Sequence, residues 1–256
     1  CVKAIGISLS QSTALVIENT ISAGAASDSS RGITIQDNSA PRIKSNIIAA
    51  GGGIYSSGIL NLANTATITI DSNIIFGGHG TEGTQGIIHE NSKATIKNNI
   101  IHGGSSLCSQ TSGILMVDAL GDIRANSIYG GSGTNDSTAL FFGGNRPENV
   151  SNNILFIAST AGNFIVSCAA ATLDPEHLEA NLFFDYAGTT NLYRRADGNA
   201  RYYSVTEIEA GVSGATGNVF GDPMFMDIDG PDDDIDTWED NNWHLSAASP
   251  VSVTEG

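Results

Sequence analysis

The chain has 256 residues, of which 30 are Gly and only 15% are charged, and its formal net charge is −16. An acidic chain with 11 Lys and Arg and no basic stripe is a poor binder of nucleic acid or of an anionic membrane. No run approaches the ~18–20 apolar residues of a membrane span, and no signal-peptide pattern opens it.

The first residues read as the middle of a repeat. Cys1 to Ile5 match the run before Gly113, with Cys1 and Cys108 each five residues ahead of their Gly. A processed or partial product, with further coils or a cap upstream, is therefore expected. Short strands open on Gly6, Gly32, Gly58, Gly86 and Gly113, each followed by Ile. After each strand comes an Asn: Asn19, Asn46, Asn73, Asn99, Asn126, Asn153 and Asn181, at intervals of 26 to 28 residues.

Three positions before the Asn stand Val16, Ile43, Ile70, Ile96, Ile123, Val150 and Leu178; two positions after it stand Ile21, Ile48, Ile75, Ile101, Ile128, Leu155 and Phe183. The position between the first column and the Asn is mostly polar (Ile17, Lys44, Asp71, Lys97, Arg124, Ser151, Glu179). A β-branched residue, a polar residue and a turn residue are strand chemistry, whereas a helical repeat needs apolar spacing near 3.6 over ten or more residues. Gly24, Gly51, Gly78, Gly104 and Gly131 follow at five positions past the Asn, where the chain leaves the strand. The reading is all-β: a single-domain, right-handed parallel β-helix of about seven coils, stacked at roughly 4.8 Å. The seven Asn are expected to form an internal ladder, since a buried amide needs partners.

Coils fill 1–184. Residues 185–217 read as an insertion, in which Ser204 and Glu207 have the form of a capping box for a short helix running to about Ala210. Residues 218–256 read as a final coil and an acidic C-terminal cap. That last part holds most of the charge, because no Lys or Arg follows Arg201 while twelve acids lie between Glu207 and Glu255.

The units Ile68-Thr-Ile-Asp-Ser-Asn-Ile-Ile-Phe-Gly-Gly and Ala94-Thr-Ile-Lys-Asn-Asn-Ile-Ile-His-Gly-Gly resemble repeats of the pectate-lyase-like and periplasmic copper-processing-type right-handed β-helix proteins. Gly221-Asp-Pro-Met-Phe-Met-Asp, Thr237-Trp-Glu-Asp-Asn-Asn-Trp-His-Leu and Ala248-Ser-Pro are similar to the closing segments of large secreted bacterial members. The resemblance implies an extracellular or cell-surface location. It leaves the activity open, because lyases, hydrolases, epimerases, adhesins and structural proteins share the scaffold.

Asp227, Asp229, Asp232, Asp234 and Asp236 crowd carboxylates around a Gly-Pro turn. Ca²⁺ takes six to eight oxygens in irregular geometry, so the segment is expected either to hold calcium or to be a solvated acidic turn. Arg194, Arg195, Tyr202 and Tyr203 form a second cluster, either gripping a sugar or packing around the cap. A third column reads Phe76, His102, Tyr129, Phe156 and Phe184, either a structural stack or a sugar platform facing solvent. Lys44, Asp71, Lys97 and Arg124 read as a partly paired solvated face.

For catalysis the nearest acid–base pair is His89-Glu90, with Asp37 and Asp118 at comparable strand ends; none recurs or matches a known motif. Cys1 and Cys108 stand four coils apart, about 19 Å, too far to bridge, and Cys168 reads as a buried small hydrophobe. Three functions are consistent with this: a non-enzymatic extracellular β-helix serving as adhesin, stalk or filament subunit; a polysaccharide lyase or glycoside hydrolase; and a carbohydrate-binding module. The first is favoured, with polysaccharide or other protein subunits as partners and end-to-end assembly or a longer parent chain expected.

Overall fold

A computed structural model describes residues 1–106, 110–158, 163–188, 191–198 and 200–249 of the chain. Cys108, and with it the expected lack of a bridge to Cys1, lies outside them. The chain winds about seven turns of a parallel β-solenoid. Each turn contributes one strand to each of three sheets. Sheet A begins with Lys3–Ser10, sheet B with Leu15–Ile17 and sheet C with Thr20–Ser22, and every later turn stacks in parallel register on the one before.

Register places like on like. Ile43, Ile70 and Ile96 align along sheet B, Ile48, Ile75 and Ile101 along sheet C, and Ile59, Ile87 and Ile114 along sheet A. These nine side chains are at most 1% exposed and belong to one continuous core. A β-branched side chain stacked on its equivalent packs its stiff rotamer against an identical surface one coil away.

Between sheets B and C the chain turns through a left-handed residue in every coil. Glu18, Ser45, Ser72, Asn98, Ala125, Asn152 and Ala180 all have φ between 51° and 57°. The Asn that follows ties this strained corner down. From Asn19 to Asn181, each Asn backbone N–H donates to Oδ1 of the next Asn at 2.9–3.1 Å. The Asn46 Nδ2 also donates to Asn73 Oδ1 and to the carbonyls of Lys44 and Val16, and the central rungs repeat the pattern. Asn46 to Asn181 are at most 2% exposed, whereas Asn19, in the first coil described, is exposed.

Residues 185–217, expected to interrupt the coil, carry it on. Tyr193–Arg195 adds to sheet A and Ala215–Thr216 to sheet B, and Asn218 forms an eighth rung beyond Asn181. Two extra elements lengthen this turn: the antiparallel strand Ala200–Tyr202 along the edge of sheet A, and the helix Val205–Gly211. Ser204 Oγ accepts the Glu207 N–H at 3.2 Å, and the Glu207 carboxylate accepts the Ser204 N–H in return. The helix drives Ile208 into the core, with Val212 just beyond it. This end of the solenoid is therefore occupied, and head-to-tail stacking through it would first have to displace the hairpin and helix.

The acidic C-terminal part does not sit over that end as a cap. Beyond Val219–Phe220, the last strand of sheet C, the chain turns back along the outer flank of that sheet. It forms a small antiparallel pair, Phe225–Asp227 with Asn242–Leu245, and packs Trp243 against Tyr129, Ile154, Phe156 and Leu182. Its apolar residues pack on the aromatic flank of sheet C, while Ile208 and Val212 of the helix segment fill the end. We call residues 222–249 the clasp.

Candidate functional site

The outer face of sheet A carries a groove along the solenoid axis. Gly32, Gly58, Gly86 and Gly113 point inward, where a Cβ would strike Ile48, Ile75, Ile101 and Ile128 at 2.3–2.5 Å. Of the residues ahead of these Gly, Arg31 and Gln85 are partly exposed, whereas Ser57 and Ser112 are buried. Gln85, Ser112 and Thr138 stand in register and form a polar floor, with Ser112 Oγ 3.2 Å from Thr138 Oγ1. Leu115 and Phe141 form one wall, Gln110 and Asp136 the other. The enclosed volume, about 50 Å³, is far below the ~300 Å³ of a typical small-molecule pocket. The shape suits a ligand lying along the groove, not one swallowed by it.

Arg194 and Arg195, expected either to grip a sugar or to pack around the cap, make their contacts within the fold. At one end of the groove Arg194 donates to both oxygens of Asp136 at 2.8 and 2.6 Å and to Ser167 Oγ at 2.8 Å, with its guanidinium over the Phe164 ring. Arg195 pairs with Asp174 and donates to the Tyr202 hydroxyl at 2.7 Å. That carboxylate holds the Arg195 guanidinium above its usual range. Tyr193 joins the Asp174 carboxylate to the buried thiol of Cys168, which burial pushes up to about 12. Tyr203 is half-exposed and lies 6.2 Å from Phe164. Of Arg194, Arg195, Tyr202 and Tyr203, only Tyr203 is exposed, the others being partly buried.

His89 points inward and is 1% exposed. Its Nδ1 accepts from Asn61 Nδ2 and Ser92 Oγ, both at 2.8 Å, while Nε2 donates to the Leu120 carbonyl at 3.1 Å. Burial lowers its pKa to about 4. Glu90 is the next residue along the strand and faces the other way, so the pair does not converge. Lys97 lies 3.6 Å from Asp71, giving the partly paired face on sheet B.

The aromatic column lies under the clasp. Phe76, His102, Tyr129 and Phe156 are at most 2% exposed. Trp238 stacks on Phe76 at 5.4 Å and Trp243 on His102 at 5.7 Å. His102 Nε2 donates to the Ile235 carbonyl at 3.0 Å and Nδ1 accepts the Gly104 N–H at 2.8 Å. A platform facing solvent is thus not what these rings form.

The five aspartates are spread along the clasp. Asp229 accepts from the Tyr186 hydroxyl, Asp232 from Thr237 Oγ1, Asp234 from the Asp236 N–H, and Asp236 from Ser132 Oγ. Asp227 lies in the strand Phe225–Asp227 and is exposed. Among the described residues no three His, Cys, Asp or Glu side chains converge as metal ligands do. As placed, this set does not fit a calcium ion.

Sequence reasoning missed the groove, although its signal was present: a polar residue, Ser57, Gln85 or Ser112, stands immediately ahead of the Gly in successive coils. No helix among the described residues is long and apolar enough to cross a membrane. No curated protein and no solved structure matches the chain. A family model described as a right-handed β-helix region matches residues 2–133, just over half of it, in keeping with the stacked parallel turns, and the chain belongs to that family.

Proposed function

We propose that this chain is a β-helix that acts outside the cell by holding a linear neutral polysaccharide along sheet A without cleaving its glycosidic backbone. The supporting observation is the groove itself: hydroxyl and amide groups repeat at the coil spacing beside a wall of Leu115 and Phe141. Neutral donors and acceptors beside apolar surface match the two faces of a sugar chain. The charges at the groove's end, Asp136 and Arg194, neutralise each other, so a uronate polymer gains little there. A rigid stack with fixed register suits presentation, since its polar row is organised before any ligand arrives.

The test is sedimentation with insoluble neutral glucans, alongside pectate and alginate, for the native chain and for Gln85→Ala/Ser112→Ala. Retention on a neutral glucan that drops about tenfold in the double variant, with no reducing ends released, is the expected result. Sugar released from any of the three polymers, or binding indifferent to the substitutions, would overturn it.

A further inference from the structure

Three successive coils carry the same turn before sheet A: Gly77-Gly78-His79, Gly103-Gly104-Ser105 and Gly130-Gly131-Ser132. The second Gly has φ of 90°, 88° and 83°, and a Cβ on any of the three would sit 2.3–2.5 Å from the carbonyl oxygen of the equivalent Gly one coil back. Only Gly permits that approach. The residue after it is therefore held in a fixed pose, and His79, Ser105 and Ser132 stack in register as a row beside the clasp.

Within the row, His79 Nδ1 lies 2.5 Å from Ser105 Oγ. The imidazole is exposed and Ser105 half-buried, so both can be reached. Two contacts fix the pair. Phe76, itself sandwiched against Trp238, meets the His79 ring edge-on at 5.3 Å, and the Ser105 N–H is tied to the Gly78 carbonyl at 2.9 Å. At the far end of the row Asp236 accepts from Ser132 Oγ, and its negative charge is near enough to His79 for the two to interact. A hydroxyl within hydrogen-bond reach of a positioned, accessible imidazole is the minimum arrangement for nucleophilic catalysis.

We propose that Ser105 is a nucleophile with His79 as its general base, acting on small acyl esters such as the O-acetyl groups polysaccharides carry. In the tautomer with its proton on Nε2, His79 Nδ1 takes the Ser105 proton as Oγ bonds to the acyl carbon. The C–O bond to the alcohol breaks, and the alkoxide leaves with the proton from His79. Water then gives a proton to Nδ1 and adds to the acyl carbon; the C–Oγ bond breaks, Nδ1 returns that proton to Oγ, and the acid leaves. The cycle is redox-neutral and consumes only water. It concerns ester bonds and leaves the glycosidic backbone intact, so it stands independently of the groove.

The probe is p-nitrophenyl acetate with the full chain. A burst of one p-nitrophenolate per chain, with a single acetyl group mapped by mass spectrometry to Ser105, is expected. Ser105→Ala abolishes that adduct, His79→Gln slows its formation by about 100-fold or more, and unfolding in urea removes it. Acetyl found only on Cys1 or lysines, or Ser105 acetylated at the native rate in His79→Gln, would overturn the proposal; circular dichroism of each variant confirms that it is folded.

Discussion

The first and last coils described differ in what borders them. At the C-terminal end the last rung, Asn218, has no further Asn above it, and the Glu209 side chain from the helix takes that place, accepting the Asn218 N–H at 2.9 Å. Ala200–Tyr202 covers the edge of sheet A, and Ile208 fills the core beneath the helix. At the other end, Asn19 is exposed, and among the described residues nothing donates to its Oδ1. The first core residues there, Leu9, Val16 and Ile21, are 7–8% exposed against 0% for their register partners Ile35, Ile43 and Ile48 on the next strand of each sheet. Order in a parallel stack is thus supplied by the neighbouring coil or by a substitute that copies its hydrogen bonds.

Acid should divide the middle of the molecule from both ends, and it carries the largest expected effect. His89 in the core and His102 under the clasp have pKa values lowered by burial to about 4 and about 3. An unfolded histidine titrates near 6.5, so the unfolded chain takes up these protons first. The stability is complete above pH ~6.5 and is lost as the pH falls toward about 4 for His89 and about 3 for His102. For His89 alone this amounts to about 3 kcal/mol. Urea melts from pH 7 to 4 should show the decline, and His102→Gln should flatten part of it. A native chain equally stable at pH 7 and pH 4 would refute the inward placement of both rings.

Next comes the ladder, where buried and exposed rungs should differ. Asn99→Leu leaves the Asn73 N–H and Nδ2 without their acceptor, a loss of about 1–3 kcal/mol per buried group. Asn19→Leu, at the exposed rung, should stay within about 0.5 kcal/mol. Equal losses at both positions, measured by chemical denaturation, would show that burial does not set the value of a rung. Glu209→Ala should fall between them at about 1 kcal/mol, the net worth of one hydrogen bond. Glu209→Gln, which keeps an acceptor, should recover most of it.

The interior was legible because its chemistry repeats. Each Asn lies one coil from an identical Asn, and the Val, Ile and Leu columns on either side fix which face is buried. The eighth rung was hidden because the hairpin and helix stretch the last interval to 37 residues, from Asn181 to Asn218. The clasp was illegible for a different reason. Its composition reads as acidic, yet Ile228, Ile235, Trp238 and Trp243 form an apolar face whose partner, the Phe76 to Phe156 column, lies some 80 to 160 residues earlier. Period and propensity report neighbours along the chain or one repeat away, and such a long-range pairing leaves no periodic trace. The fate of Arg194 and Arg195 was hidden likewise, since Asp136 and Asp174 pair with them across turns of the coil.

Calcium carries the smallest expected effect, and it separates clasp from coils. A metal bound only by the folded chain stabilises it by RT ln(1 + [L]/Kd), about 2.7 kcal/mol at a hundredfold excess over Kd. Such binding needs several oxygens aimed at one point, whereas Asp229 turns toward Tyr186 and Asp236 toward Ser132. Gathering them would break both contacts and lift the clasp from the row it borders. The melting temperature in millimolar calcium should therefore match that in EDTA to within about 1 °C, a shift worth well under 1 kcal/mol for a chain of this size. A rise of several degrees, abolished by Asp232→Asn/Asp234→Asn, would mean that the clasp rearranges around the ion. The flank would then be held by a metal, and the packing of Trp238 and Trp243 would be its consequence.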